Sequence, residues 1–244
     1  YDLGIGAIRR GINNDRYYEV PAQQWADLTA TDQSYGVSIL SDRCMGWDKP
    51  DESTLRLSVL RSPYVRKNYE HPPGSVDSPL GKQNATARNY FHQVQDWGEH
   101  RFAYAIVGHP GDWTGENTPA AAAALNNPMM VFQTRKHTEN DAKTGSMSFA
   151  SVSVENVKIS ALKKAEKSDE VVIRLVETYG AEETEAHVTF AAKVTSAQEI
   201  NGSEKEVGTV QVSNGSLRVT LGRFEPRTFA VRLESGAVTL TPPS

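Results

Sequence analysis

A short segment around residue 45 combines residue types that can bind a polyhydroxylated ligand. The neighbours Asp42 and Arg43 are followed by Trp47 and Asp48. Charged side chains fix the orientation of hydroxyl groups through strong hydrogen bonds, and an indole ring offers an apolar surface to a sugar. We therefore name Asp42, Arg43, Trp47 and Asp48 as candidate substrate-binding residues. A salt-bridged surface loop is the alternative interpretation of the same four residues.

The titratable residues elsewhere do not predict a catalytic or metal site. The six histidines are scattered without the short ligand spacing of a zinc site. His100 and His109 flank one predicted strand, about 30 Å apart if it is extended, so they are not expected to share a metal. Asp and Glu total 30 residues, too many for spacing alone to nominate a catalytic pair. We predict no catalytic residue and no metal ligand in this chain.

Two tryptophans beside predicted turns have two possible roles. Trp97 and Trp113 could stack against a sugar, or they could fill a core or anchor a contact between domains. We favour the second role for both. His109, within Gly-His-Pro-Gly, is expected to satisfy backbone groups at a strand end.

The elements that must position these residues are mostly strands. Alternation of apolar and polar residues with a period of two recurs along the chain, as in Leu55, Leu57 and Val59. Asn214-Gly215 between two such runs predicts a hairpin with a type I′ turn. Helix is scarce, and the clearest one starts with Thr118 as the N-cap and Pro119 at its first position.

Two regions of irregular pattern divide the sequence. Residues 64–95 contain Pro, Gly and Ser with little periodicity and predict a long loop. Such a loop could border a binding cleft, although a surface insertion is the interpretation we favour. A second change, near residues 144–149, predicts the boundary between two β-regions.

Composition excludes several classes of protein. A formal net charge of -4 in 244 residues does not favour nucleic acid or an anionic membrane as a partner. No apolar stretch approaches the roughly 20 residues that cross a bilayer. Cys44 is the one cysteine, so an intrachain disulfide is excluded. The sequence opens on Tyr1 with neither an initiator Met nor a signal peptide, and we interpret it as a fragment of a longer protein.

Seven stretches resemble the C-terminal β-domains of glycoside hydrolase family 38, the α-mannosidases. Four of them follow the family order in the first part of the chain: residues 19–28, 35–42, 55–63 and 96–113. Three more occur in the second part: residues 154–163, 172–180 and 224–233. The resemblance covers most of the chain, except the loop at 64–95 and the tail after Glu234. It implies an all-β fold, with part of a large β-sandwich over residues 1–148 and a smaller immunoglobulin-like β-sandwich over 149–244.

The resemblance also implies a function. Family 38 enzymes are retaining α-mannosidases whose zinc ion, aspartate nucleophile and His/Asp metal ligands lie in an N-terminal α/β barrel, and nothing in this sequence resembles that barrel. The chain is thus expected to be a non-catalytic C-terminal portion that packs on the barrel and lines its substrate cleft. Zinc is expected only in that catalytic domain. The expected partners are this domain and a mannose-containing glycan, with no nucleic acid and no membrane.

In such enzymes the loop that corresponds to Asp42 and Arg43 approaches the active-site opening, which agrees with the candidate residues named above. Two other functions stay open at this point. The chain could be a free-standing carbohydrate-binding β-sandwich module, or a purely structural interaction domain. If the strands that normally precede Tyr1 are absent, an exposed sheet edge is expected, and with it a homodimer or aggregation.

Overall fold

The computed structural model describes residues 1–14, 16, 18–61, 98–133 and 148–235. The predicted loop at 64–95, Trp97 and most of the predicted boundary at 144–149 lie outside these residues. Strands dominate the described part, and the prediction of an all-β chain is confirmed. The described residues contain no helix with the length and hydrophobicity needed to cross a bilayer.

The strands of the first part form two three-stranded antiparallel sheets, with orders β1-β4-β5 and β2-β3-β6. Their bounds are β1 Val20–Pro21, β2 Trp25–Thr29, β3 Tyr35–Ser41, β4 Gly46–Asp48, β5 Arg56–Ser58 and β6 Tyr104–Pro110. One face of the second sheet packs on helix α1 (Thr118–Asn126), where Trp25 and Leu40 contact Ala122. The other small sheet buries Trp47 with Tyr1, Ala22 and Ala26.

The strands of the second part form a sandwich of two antiparallel sheets, with orders β13-β14-β10-β7 and β12-β11-β15-β9-β8. Their bounds are β7 Ala150–Val152, β8 Val157–Lys164, β9 Val171–Glu177, β10 Glu183–Phe190, β11 Val194–Ile200, β12 Glu206–Thr209, β13 Gln211–Ser213, β14 Ser216–Gly222 and β15 Pro226–Leu233. Thr184, Ala186 and Val188 of β10 are buried while the residues between them are exposed. This alternation places one face of each strand in the core, where Leu175, Leu217 and Phe229 are fully buried.

The two parts contact each other through aromatic rings. In the first part, Trp113 packs against Trp25, with ring centroids 4.9 Å apart. Across the boundary, Trp113 and Tyr179 form an edge-to-face pair with centroids 5.9 Å apart. The Phe224 ring lies between two glycines: a Cβ on Gly6 would come within 3.1 Å of the ring, and one on Gly180 within 2.7 Å. Because any side chain at these positions would collide with the ring, glycine permits the close approach.

Candidate functional site

The first two predicted binding residues lie directly after β3. The Asp42 backbone N–H donates to the carbonyl of Ala103, at 3.1 Å, so the loop continues the pairing of β3 with the segment before β6. Arg43 Nε donates to Asp42 Oδ2, also at 3.1 Å. A backbone hydrogen bond with Ala103 lowers the pKa of Asp42, and Arg43 adds to this effect, so the carboxylate stays ionised at neutral pH.

The two members of this pair differ in exposure. The Arg43 side chain is 67% exposed, whereas that of Asp42 is 18% exposed and held in place by its neighbours. An ionised carboxylate accepts hydrogen bonds and a guanidinium has five N–H donors. Arg43 therefore offers exposed donors to sugar hydroxyls, whereas Asp42 Oδ1 is buried and Asp42 Oδ2 accepts from Arg43.

Trp47 and Asp48 occupy β4 rather than the loop. Trp47 is fully buried in its core cluster, so its indole ring is not presented to solvent. Asp48 Oδ2 accepts from Arg56 Nη1 of the neighbouring strand, at 3.2 Å. Within the part of the chain that is described, no hydrogen bond or ion pair links Asp42 or Arg43 to Trp47 or Asp48. The structure thus pairs Asp42 with Arg43 in the loop after β3, and it places Trp47 and Asp48 in β4, which follows that loop.

A buried polar cluster, which sequence reasoning missed, lies on the inner face of the β2-β3-β6 sheet. His109 Nε2 is 2.6 Å from Asp27 Oδ2, and their side chains are 0% and 6% exposed. The Ser38 hydroxyl donates to Asp27 at 2.9 Å and lies 2.9 Å from the Thr118 hydroxyl. Thr29 donates to the other Asp27 oxygen at 2.6 Å. These groups are of types found in catalytic sites, and the His109 and Asp27 side chains at their centre are almost completely buried.

A signal for this cluster does exist in the sequence. Gly36, Ser38 and Leu40 alternate in β3, so the polar Ser38 shares the core-facing phase with Leu40. Gly36 is the cross-strand partner of His109, and a Cβ on Gly36 would lie 2.2 Å from His109 Cε1. A glycine in a strand interior marks such a close approach.

A cavity of about 710 Å³ lies at the other end of β3 from Asp42. Its lining includes the aromatic residues Tyr35 and Trp113 and the cations Arg9 and Lys49, and none of the four predicted binding residues. Among the described residues, no group of three or more His, Cys, Asp or Glu side chains could hold a metal ion.

Two family models match the chain in succession. The glycosyl hydrolases family 38 C-terminal domain matches residues 1–69, and the family 38 C-terminal beta sandwich domain matches residues 156–229. The second match runs from the start of β8 into β15, within the sandwich of the second part.

Relatives and solved structures agree with these matches. The chain is 24% identical to alpha-mannosidase 2C1 of Mus musculus, over 96% of the chain and 20% of the relative. It is 26% identical to the Homo sapiens alpha-mannosidase 2C1, over 92% of the chain and 19% of the relative. It is 25% identical to alpha-mannosidase G of Dictyostelium discoideum, over 94% and 19%.

The fold is shared with a solved structure. The crystal structure of an alpha-mannosidase from Enterococcus faecalis V583 superposes with a TM-score of 0.65 at 16% identity, over 95% of this chain and 24% of that one. The chain thus spans about a fifth of the length of the curated relatives and is alike in fold to one portion of the solved enzyme. From the two successive family models and the relatives together, we conclude that the chain belongs to glycosyl hydrolase family 38, where it corresponds to the C-terminal domains.

Proposed function

We propose that this chain is the non-catalytic C-terminal portion of a retaining, metal-dependent α-mannosidase that hydrolyses α-mannosidic bonds in glycans. The observation that carries the proposal is the succession of two family 38 C-terminal models along one chain. The names of the relatives supply the activity. In the intact enzyme, the chain packs on an N-terminal catalytic domain and forms one wall of its substrate cleft.

The proposed division into domains follows the sheets. Residues 1–148 form part of the large β-sandwich domain, and residues 149–244 form the C-terminal β-sandwich domain. The separate strand orders of the two parts support this division, because none of the four sheets formed by the described strands contains strands from both.

The chemistry of hydrolysis belongs to the catalytic domain. We propose that the zinc ion of the family is held there. A zinc ion acts as a Lewis acid or orients substrate. The isolated chain is accordingly expected to hydrolyse no α-mannoside.

Asp42 and Arg43 are the residues of this chain that we propose to contact the glycan. The carboxylate accepts from sugar hydroxyls, and the exposed guanidinium donates to them or to ring oxygens. Trp47 and Asp48 act on the same loop from β4, where the buried ring fixes the strand and Asp48 pairs with Arg56.

The test is the kinetics of the intact parent enzyme, purified as wild type and as Arg43→Ala. We expect kcat/KM on a short α-mannoside to fall about tenfold or more, because a lost hydrogen bond to a charged group is worth roughly 1.5–3 kcal/mol. Arg218→Ala is the matched control, since Arg218 also pairs with a neighbouring acid at the surface but lies in the second sandwich. Equal kinetics for both variants would remove Arg43 from the substrate site.

A free-standing carbohydrate-binding module is the second candidate, and the cavity near Tyr35 favours it. Aromatic faces beside cationic and acidic groups are typical of sugar sites, and the cavity contains all three kinds. Titration of the isolated chain with mannose and a short α-mannoside, followed by protein-observed NMR, separates the candidates. Localised shifts at Tyr35 and Trp113, or at Asp42 and Arg43, would favour the module; no shifts at millimolar sugar would favour dependence on the barrel.

A further inference from the structure

A buried carboxylate lies at one end of the second sandwich. Glu177, the last residue of β9, is 0% exposed. Its Oε1 atom accepts from the backbone N–H of Tyr179 at 2.8 Å and from the side-chain amide of Asn156 at 3.3 Å. Its Oε2 atom accepts from the backbone N–H groups of Gly180 and Phe224, at 2.8 and 3.0 Å. Four amide donors thus compensate for the burial of one carboxylate.

These donors belong to three loops that also contact the first part. Asn156 lies in the loop before β8, Tyr179 and Gly180 lie in the loop after β9, and Phe224 lies between β14 and β15. The contacts with the first part are those of Glu155 O with Asn117 Nδ2 at 3.3 Å, of Tyr179 with Trp113, and of Phe224 with Gly6. The Glu177 side chain therefore holds the three contacting loops in their relative positions.

Phe224 has a strained backbone conformation. Its φ angle is 52°, in the left-handed region that bulky residues rarely adopt. Such conformations persist only where the surrounding structure over-determines them, and they are common in clamps and switch regions. Two contacts do so here: the N–H bond to Glu177, and the position of the ring between Gly6 and Gly180. Without the bond to Glu177, a return to negative φ relieves the strain and withdraws the ring from Gly6.

A polar cavity interrupts the contact between the two parts. Its volume is about 120 Å³, and its lining includes Asp2 and Gln23 of the first part and Lys158, Glu177 and Thr178 of the second. Domains move relative to each other unless their interface is large and hydrophobic. Because this cavity breaks the apolar contact, the arrangement of the two parts depends on the loops that Glu177 holds.

We propose that Glu177 and Phe224 form a latch between the two parts of the chain. In the closed state, Glu177 binds the N–H of Phe224 and the ring lies against Gly6, as in the structure. In the open state, this bond is absent, Phe224 has a negative φ, and the two parts separate. The second sandwich stays folded in both states, because its apolar core is built from other residues. The latch acts within this chain and does not depend on the proposed function.

Thermal unfolding of the 244-residue chain at low concentration tests the latch. All four tryptophans lie in the first part, so their fluorescence reports the unfolding of that part, whereas far-UV circular dichroism reports both parts. In the wild type we expect one transition that both signals follow. In Glu177→Gln, which replaces one acceptor oxygen by a donor, we expect the dichroism transition to split. The two midpoints should differ by about 5 °C or more, because the released parts unfold independently.

Fluorescence should follow only one of the two transitions of that variant. A single transition in Glu177→Gln, or two transitions in the wild type, would overturn the proposal.

Two further variants separate the latch from a local effect on one turn. Glu225→Gln is the matched control: Glu225 lies beside Phe224 and accepts from the N–H of Gly222 at 2.7 Å, but it is exposed and holds a single turn. This variant should keep one transition. Phe224→Ala removes the ring and leaves the carboxylate, so it should split the transition as Glu177→Gln does. A split in Glu225→Gln, or a single transition in Phe224→Ala, would overturn the proposal.

Hydrogen exchange of the wild-type chain, followed by NMR, tests the latch even where a variant does not fold. The amides of Tyr179, Gly180 and Phe224 should exchange about tenfold or more slowly than that of Gly202, which lies in the exposed turn after β11. The three amides should also share one rate, because a single opening exposes all of them. Exchange as fast as that of Gly202, or three unrelated rates, would overturn the proposal.

Discussion

Asp27 organises the inner face of a sheet through one buried carboxylate. It accepts hydrogen bonds from Thr29 and Ser38, and His109 Nε2 lies 2.6 Å from it. The residues come from β2, β3 and β6, so a single side chain connects all three strands of the sheet. Asp27 and His109 are 82 positions apart in the sequence, which is why their contact could not be predicted from spacing.

Replacing Asp27 by Ala should therefore destabilise the fold. The change leaves His109 and Ser38 buried without the Asp27 carboxylate, and a buried polar group that loses its hydrogen-bond partner typically costs about 1–3 kcal/mol. Urea denaturation at pH 7 measures the loss in the free energy of unfolding. Asp32→Ala is the control, because Asp32 makes only exposed local hydrogen bonds with Ser34. Similar losses for both variants would contradict the role given to Asp27.

Tyr179 should make stability depend on alkaline pH. Its hydroxyl is buried without a hydrogen-bond partner, and this burial, with smaller effects from Glu155 and Asp112, raises the pKa of Tyr179 to about 12. The unfolded chain has the ordinary tyrosine pKa near 10 and so loses its proton first. The stability from this group is complete below pH 10 and is lost as pH rises through 12.

Tyr179→Phe removes that titration, so the variant should lose less stability than the wild type between pH 10 and 12. At pH 7 we expect equal or slightly greater stability, because the unpaired hydroxyl is gone. Urea denaturation over pH 8 to 12 measures both effects. Tyr35→Phe, at a tyrosine that is 63% exposed, should follow the wild-type profile; parallel profiles for all three proteins would contradict the prediction.

At the scale of secondary-structure elements, the sequence patterns predicted that a hairpin and a helix exist, but not the exact residue at which the helix begins. The Asn214-Gly215 hairpin is confirmed, with φ angles of 51° and 74° and with Ser213 opposite Ser216. The helix is also confirmed, but its N-cap is Asn117, whose side chain accepts from Ala120 N–H, and not Thr118. Thr118 is fully buried beside Ser38 instead. Asn and Thr are both favoured at the N-cap. The contact of Thr118 with Ser38 leaves Asn117 to serve as the cap.

An arginine clamp joins the two sheets of the second sandwich. Arg227 of β15 donates to both carboxylate oxygens of Glu199 on β11 and to the carbonyl of Thr220 on β14. The guanidinium also lies over the Phe229 ring, 5.3 Å from its centroid. Arg227 lowers the pKa of Glu199 through this side-chain hydrogen bond.

Arg227→Lys should weaken the sandwich, because an ammonium cannot reproduce the planar fork that reaches both sheets. We expect the free energy of unfolding at pH 7 to fall by about 1–2 kcal/mol. The contribution of Glu199 to stability is present above its unfolded pKa near 4.5 and is lost as pH falls through its lower folded pKa. The free energies of unfolding of the wild type and Arg227→Lys should therefore become similar in acid. Denaturation at pH 7 and pH 3 tests both statements. Arg218→Lys, at a half-exposed pair within one sheet, should change stability by less than about 0.5 kcal/mol.

For the molecule as a whole, the all-β class and the family were predictable from recurring motifs, whereas the contacts between the two parts were not. Trp113 meets Tyr179, and Gly6 meets Phe224, across sequence separations that no local pattern encodes. The burial of Trp47 likewise depends on Tyr1 and Ala22, which belong to other segments. Alternation fixes which face of a strand is apolar, but it does not identify the element that covers that face.

At the same scale, the isolated chain should self-associate. β6 is a terminal strand of its sheet and pairs only with β3 among the described strands. Its free edge can therefore pair with that of a second copy, giving a two-fold symmetric dimer or larger species. Light scattering over a range of concentrations should show a mass above 26.8 kDa that increases with concentration. A monodisperse monomer at high concentration would count against pairing through this edge.

The close contact between Gly36 and His109 restricts how the sequence can vary. The imidazole occupies the space that a side chain at position 36 would need. In a library that randomises position 36 alone, the folded members should carry glycine at that position. In a library that randomises both positions, the folded members should also include pairs with a larger residue at 36 and a smaller one at 109. Positions 36 and 109 are therefore expected to covary: a substitution at one of them is tolerated only when the other changes to compensate for it.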